Sequence, residues 1–245
     1  MSTKQTCEYL EWDSTFFQRR VARVSVSSLS EPILSDVLGW CERERIDCLY
    51  FLADSGDSDT VKLAQCHNFR LVDIRLTLSG SVKDQITPDD CAEVRGFAEE
   101  DLPGLRAIAR ESHRDSRFYQ DGNFSDELCN KFFETWIDKS CRGWAKQVFV
   151  AGAKGNPEGY ITCHLPSSGV GQIGLVAVGS QARGKGLGRK LVRQSLSWFR
   201  GHPLEEINVV TQGRNIFAQR LYQRCGFVSK SVELWYHRWF NQRHI

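Results

Sequence analysis

Residues 183–189, Arg-Gly-Lys-Gly-Leu-Gly-Arg, are the run in this chain best suited to do chemistry. Gly184, Gly186 and Gly188 let the backbone come close to a ligand, and Arg183, Lys185 and Arg189 add cationic side chains. A helix predicted over Arg189–Phe199 turns its free N–H groups and positive dipole end toward the same place. Ahead of the run, Gln172–Val178 is apolar and β-branched, as a buried central strand requires. Strand, glycine turn, helix N-terminus and cations together make a cradle for a diphosphate.

Two diphosphate patterns fit. Gly179 to Lys185 has the G-x-x-x-x-G-K spacing of a P-loop, and the acid-ended strand Cys48–Asp54 could supply a magnesium ligand. The residue after Lys185 is Gly186, however, where a P-loop uses Ser or Thr on the metal, and the acid-ended strand precedes the loop. The second pattern is R-x-x-G-x-G, filled by Arg183, Gly186 and Gly188. The downstream chain separates the two. A short strand, Glu205–Thr211, leads to Asn215, which opens a helix with Ile216, Phe217, Leu221 and Tyr222 roughly on one face. Gly226 is placed as its C-terminal stop, and Phe227 begins the next strand.

The glycine loop, the Asn at a helix start, the Tyr seven residues later and the following Cys-Gly-Phe resemble the GNAT superfamily of N-acyltransferases, in family order and over roughly residues 145–240. The resemblance implies an α/β fold, a mixed sheet with flanking helices, and acetyl-CoA as acyl donor with no metal. It implies that Leu175, Val176, Ala177 and Val178 lie where the strand splays from its neighbour and pairs with the pantetheine arm, one N–H facing the thioester oxygen. Arg183, Gly184, Lys185, Gly186, Leu187, Gly188 and Arg189 would receive the pyrophosphate. Asn215 would hydrogen-bond the pantetheine or acyl region, a role compatible with capping its helix.

Amine acylation needs both reactants positioned, the carbonyl polarised, a proton accepted and the leaving thiolate protonated. Tyr222 is the expected general acid, because a phenol of reference pKa about 10 stays protonated at neutral pH. Its bland alternative is an amphipathic core tyrosine. His164, Glu111, His113 and Asp115 could relay the amine proton, as could solvent, and the base stays unassigned.

At 245 residues, with 41% hydrophobic and 25% charged residues, the chain describes an ordinary globule of one large domain or two small ones. A net charge of +2 argues against a nucleic-acid-binding protein. The N-terminus lacks the apolar core of a signal peptide and no apolar run is long enough to span a bilayer, so no membrane partner and a cytoplasmic location are expected. Nine cysteines without metal spacing read as reduced thiols, with Cys163 and Cys225 as core fillers rather than nucleophiles.

Before a predicted linker at Ser79–Asp90, the order is a paired strand region (Glu8–Val26), a helix (Ile33–Glu44), a buried strand (Cys48–Ala53), a capped helix (Asp57–Cys66) and a strand (Phe69–Leu78). Residues 60–78 lie over 218–236 without a gap, Asn68–Phe69 facing Gly226–Phe227 and Ala64 facing Tyr222. The chain is therefore expected to hold a partial, non-catalytic GNAT-like domain at 1–80 and a catalytic GNAT domain at 91–245. In the second, Ala98–Ser112 and Leu128–Asp138 read as helices, and Gln147–Ala153 and Gly159–His164 as a hairpin.

LEWDSTFF (10–17), SRFY (116–119), ETWI (134–137) and SCRG (140–143) resemble the bacterial TDP-fucosamine acetyltransferase family. That implies an amino sugar linked to a nucleotide diphosphate as acceptor, and a homodimer is compatible with it. Arg117 can grip a diphosphate bidentately, Trp12, Phe118 and Tyr119 offer faces for a base or sugar ring, and His164 would stand at the sugar. The alternatives are a GNAT enzyme acting on a protein, peptide or small free amine, and a non-catalytic CoA-binding module.

Overall fold

The computed structural model describes residues 6–81, 93–166 and 169–240. They form two compact units interleaved along the chain: 1–75 with 116–125 and 232–245, and 76–115 with 126–231.

In the first unit the strand order is β1 (Cys7–Tyr9), β2 (Val21–Val24), β3 (Cys48–Asp54) and the end of β10 (Val228–Trp239). β2 runs parallel to β3, and β10 runs antiparallel to it from Glu233↔Asp54 to Trp239↔Cys48. Residues alternate across β3, so Leu49, Phe51 and Ala53 enter an apolar core with Tyr236, with Leu34, Val37 and Cys41 of helix α2 (Glu31–Arg43), and with Ala64 of helix α3 (Ser58–Cys66). Tyr50 and its cross-strand partner His237 face the other way, toward residues 116–125. One expectation is corrected here. The region 8–26 is not only paired strand, because Glu11–Phe17 folds as helix α1. Trp12 and Phe16, one turn apart, stack at 5.2 Å, and Phe17 is buried.

In the second unit the order is the end of β4 (Arg70–Ser81), β9 (Glu206–Gln212), β8 (Val170–Val178), β7 (Gly159–His164), β6 (Gln147–Ala151) and β5 (Val94–Gly96). β8 and β9 are parallel, and the β5–β6, β6–β7 and β7–β8 pairs are antiparallel. Leu191, Val192, Leu196 and Phe199 on helix α7 (Leu187–Phe199) cover one face with Ile161, Cys163, Ile173, Ile207 and Val209. Helices α4 (Leu102–Glu111) and α6 (Asp126–Lys139) belong to this unit, while the five-residue helix α5 (Arg117–Asp121) belongs to the first. Ser79–Ser81 of the expected linker extend β4, and 82–90 lie outside the described residues.

The internal repeat holds at the level of single atoms. β3, α3 and β4 recur as β9, helix α8 (Ile216–Arg224) and β10, every boundary advanced by 158 positions, from 48 to 206 at the first and from 81 to 239 at the last. Asp57 caps α3 by accepting from the Thr60 amide at 3.0 Å, and Asn215 caps α8 by accepting from the Ala218 amide at 3.0 Å. The Phe69 amide returns to the Ala64 carbonyl as the Phe227 amide returns to that of Tyr222. Asn68 and Gly226 share the left-handed conformation that ends each helix (φ 61° and 90°). The last strand of each copy then joins the other unit: β10 lies beside β3, and β4 beside β9.

Candidate active site

β8 carries the features that position the site. Its register against β7 passes from Ile161↔Val176 to Cys163↔Ile173, so Gly174 and Leu175 oppose the single residue Thr162. This is a β-bulge, and the glycine inside a β-branched strand marks it. A side chain at position 174 has no room, since its Cβ would stand 2.6 Å from both Thr162 Oγ1 and His164 Nε2. Thr162 Oγ1 accepts the Leu175 amide at 2.8 Å. On the other edge, the pairing of β8 with β9 runs from Val170↔Glu206 to Ile173↔Val209 and is not continued by the described residues that follow. The Leu175 and Gly179 amides both bond toward β7, so alternation turns the backbone groups of Val176 and Val178 to the opened β9 side. Of those groups, the Val178 carbonyl accepts from Arg183 Nε at 3.4 Å.

The strand ends in the glycine loop. Gly184 and Gly186 have φ of 80° and 78°, and a Cβ at either would meet nothing within 4 Å, so their backbone lines open space. Gly188 serves packing instead. Its Cβ would approach Leu221 of α8 to 3.2 Å, so the glycine permits α7 to lie close on α8. Helix α7 begins at Leu187, two residues before the predicted start, and the Arg189 and Lys190 amides already bond the Gly186 carbonyl. The amides turned to a ligand are therefore those of 184–188. Lys185 pairs with Glu158 at 2.9 Å, which anchors the loop on the β6–β7 turn, and Arg183 and Arg189 are exposed cations beside it.

Asn215 is half-buried and spends its side-chain oxygen on the α8 cap. Tyr222 is buried, its ring 5.9 Å from that of Phe227, and its hydroxyl takes no hydrogen bond from the described residues. Burial pushes its phenol well above the ordinary value, so it is protonated throughout the neutral range. The expected apolar face of α8 is only partly realised, because Ile216 and Phe217 stand exposed. Cys163 and Cys225 belong to or pack on the core, and burial raises both thiols, which disfavours the nucleophilic thiolate. His164 is half-buried on β7, edge-on to Trp144, with its imidazole pKa lowered by burial. His113 bonds the Tyr160 hydroxyl at 3.0 Å and lies against Phe133, and burial lowers its pKa to about 4. All of these residues, with the glycine loop, belong to the second unit.

Trp12, Arg117, Phe118 and Tyr119 belong to the first. Phe118 is buried against Phe17, Tyr119 is half-buried, and Trp12 remains exposed. The Arg117 guanidinium lies 4.2 Å from the Trp235 ring, 4.4 Å from Phe118 and 4.8 Å from Tyr50. Sequence reasoning missed Tyr50, Trp235 and His237 here, and Thr162 and Tyr160 in the second unit, while Ser116 entered it only as part of the SRFY run. Only Gly174 signalled any of them. Cys48, Asp121 and His237 place metal-type atoms within 4.8 Å of one another, but the Asp121 oxygens already receive His237, Asn123 and Trp239.

The profile described as the Acetyltransferase (GNAT) family matches residues 105–227, half of the chain. The chain belongs to the GNAT family. It is an acyl-CoA-dependent N-acetyltransferase, and acetyl-CoA is the donor that GNAT acetyltransferases use. Among curated relatives it is 26% identical to the dTDP-fucosamine acetyltransferase of Escherichia coli O6:H1, over 97% of this chain and 100% of that protein. It is 28% identical to the spore coat polysaccharide biosynthesis protein SpsD of Bacillus subtilis, over 57% of this chain and 48% of that one. Among solved structures, a GCN5-related N-acetyltransferase from Sphaerobacter thermophilus shares the GNAT fold at a TM-score of 0.64 and 16% identity, covering 95% of this chain and 76% of that one. Among the described residues, no helix of this GNAT protein is long and apolar enough to cross a membrane.

Proposed function

We propose that this enzyme moves an acetyl or short acyl group from acyl-CoA to the primary amine of a nucleotide-linked amino sugar, by direct attack in a ternary complex. The observation that carries the acyl half is the parting of β8 from β9 after Ile173, directly ahead of a loop whose glycine backbone borders open space. In this reading Leu175–Val178 flank the pantetheine arm, and the Leu175 amide, which donates to Thr162, is not counted among the donors. Val176 N–H is then the donor for the thioester oxygen. The amides of 184–188 with Arg183 and Arg189 receive the pyrophosphate, and Tyr222 protonates the departing thiolate. No side chain is assigned to the amine's proton, which a solvent relay can take, and His113, bonded to Tyr160, is too weak a base to keep it at a pKa of about 4.

The acceptor half rests on the full-length likeness to a dTDP-fucosamine acetyltransferase and on Arg117 with its aromatic neighbours. The likeness to a spore coat polysaccharide protein points toward polysaccharide biosynthesis. Residues 1–80, whose Ala64 stands at the place of Tyr222, are read as a partial GNAT-like domain without a catalytic acid of their own. The test is an acetyl-transfer assay with acetyl-CoA against TDP- and UDP-amino sugars, lysine peptides and free small amines. Turnover confined to peptides or free amines would sink the acceptor assignment, and no CoA release with any amine would sink the enzyme's proposed reaction.

A further inference from the structure

Buried polar atoms in folded proteins are nearly always hydrogen-bonded, and one left alone is costly. The first unit encloses four that have no partner: Tyr50 Oη, Ser116 Oγ, Arg117 Nε and His237 Nε2. They are neighbours. Ser116 and Arg117 are consecutive, the Arg117 guanidinium faces the Tyr50 ring, and the Tyr50 and His237 rings stack at 4.4 Å.

Arg117 carries the argument further than the hydroxyls do. Arg117 is half-buried with its Nε enclosed, and a water that could pair an enclosed atom cannot neutralise a guanidinium. Among the described residues, no carboxylate comes within ion-pair distance of Arg117. The charged and titratable groups in its field are Asp13, Asp73, Tyr50 and Cys48. Asp13, the carboxylate that acts most strongly on Arg117, has its own carboxyl raised by burial, against the pull of Arg117 and Arg23. Three aromatic rings lie within 4.8 Å of the cation. A guanidinium whose buried Nε has no partner, with an enclosed serine hydroxyl and an enclosed phenol likewise unsatisfied, suits a tetrahedral oxyanion.

We propose that the first unit holds a phosphoryl-oxyanion site of its own, formed by Arg117, Ser116 and Tyr50 and distinct from the glycine loop. Free pyrophosphate and a nucleoside diphosphate are two sources of that chemistry, and the choice of the second as probe rests on the nucleotide-sugar reading. The site itself is independent of which amine is acetylated.

Titration calorimetry tests it in a Gly186→Glu background, where the glycine loop is closed to diphosphates. The probes are inorganic pyrophosphate, TDP and thymidine. The expected result is residual one-to-one binding of pyrophosphate and TDP but not of thymidine, weakened about tenfold or more by Arg117→Gln. Tyr50→Phe guards against a folding artefact: it removes a hydroxyl with no protein partner, so Tm should hold or rise while affinity falls. Absence of residual binding, or binding indifferent to both substitutions, overturns the site. Pyrophosphate binding through Arg117 in an enzyme that acetylates only phosphate-free amines would keep the site and refute the nucleotide-sugar acceptor. Acetylation of a nucleotide sugar without residual binding would do the reverse.

Discussion

Thr162 Oγ1 accepts the Leu175 amide at 2.8 Å, and this single side-chain bond closes the β8 bulge. It fixes which way the backbone faces after the bulge, and hence that Val176 opens toward the parted edge. Thr162→Val keeps the shape and leaves a buried N–H without a partner, so stability should fall by about 1–3 kcal/mol in urea unfolding. Thr162→Ser restores the hydroxyl and should recover most of it. If the bulge aims Val176, kcat with acetyl-CoA should fall in the Val variant and recover in the Ser variant. Equal kcat in all three proteins would detach the bulge from the chemistry.

Gly186→Glu tests the loop. Position 186 has open space for a side chain, but its φ of 78° costs an L-residue about 1–2 kcal/mol, which a folded domain tolerates. The carboxylate would then face the pyrophosphate. Acetyl-CoA binding by calorimetry should be lost while circular dichroism stays native. Undiminished affinity would remove the cradle, and magnesium-dependent ATP binding by the unaltered protein would revive the P-loop reading.

The glycine loop, its strand and the α8 cap were legible because each is a local matter of residue type and spacing. The repeat was legible for the same reason, since caps and helix stops are set within a few residues. The bulge contact was not, because Thr162 meets Leu175 only once two strands pair. Nor was the setting of Arg117. Two of its three rings, Tyr50 and Trp235, come from β3 and β10, strands far apart in sequence, and His237 meets Asp121 only after the chain's last strand joins β3. Exchange of the final strands between units leaves no mark in local periodicity.

Acid should destabilise the fold before it touches most carboxylates. Burial lowers the His237 pKa from 6.5 to about 4, against the pull of Asp121. The unfolded chain therefore binds a proton between those values that the native state refuses, so stability rises with pH across the window and is lost as pH falls from 6.5 toward 4. The full loss is about 3 kcal/mol for this group. His237→Asn offers an amide to Asp121 without a titrating ring. Between pH 6 and 5 its unfolding free energy should fall less steeply, by about 1 kcal/mol per pH unit. A slope unchanged from the parent would mean that His237 is charged in the native state or titrates normally.

Tyr222→Phe isolates the proposed acid. The ring sits in the core beside Phe227 and would stay there, and the deleted hydroxyl has no partner among the described residues, so Tm should move little. Acetyl-CoA affinity should hold for the same reason. If the phenol protonates the leaving thiolate, kcat should fall about 10²–10⁴-fold, the scale of a positioned general acid. Ala64, at the equivalent place in the first copy, has no hydroxyl to substitute, which is why one active site per chain is expected. The pH profile supplies a second reading: burial holds Tyr222 above its ordinary range, so the alkaline limb, where this acid would lose its proton, should lie above the ordinary phenol range. A Phe variant with near-parental kcat on its true acceptor would assign thiolate protonation to water or to another residue and return Tyr222 to packing.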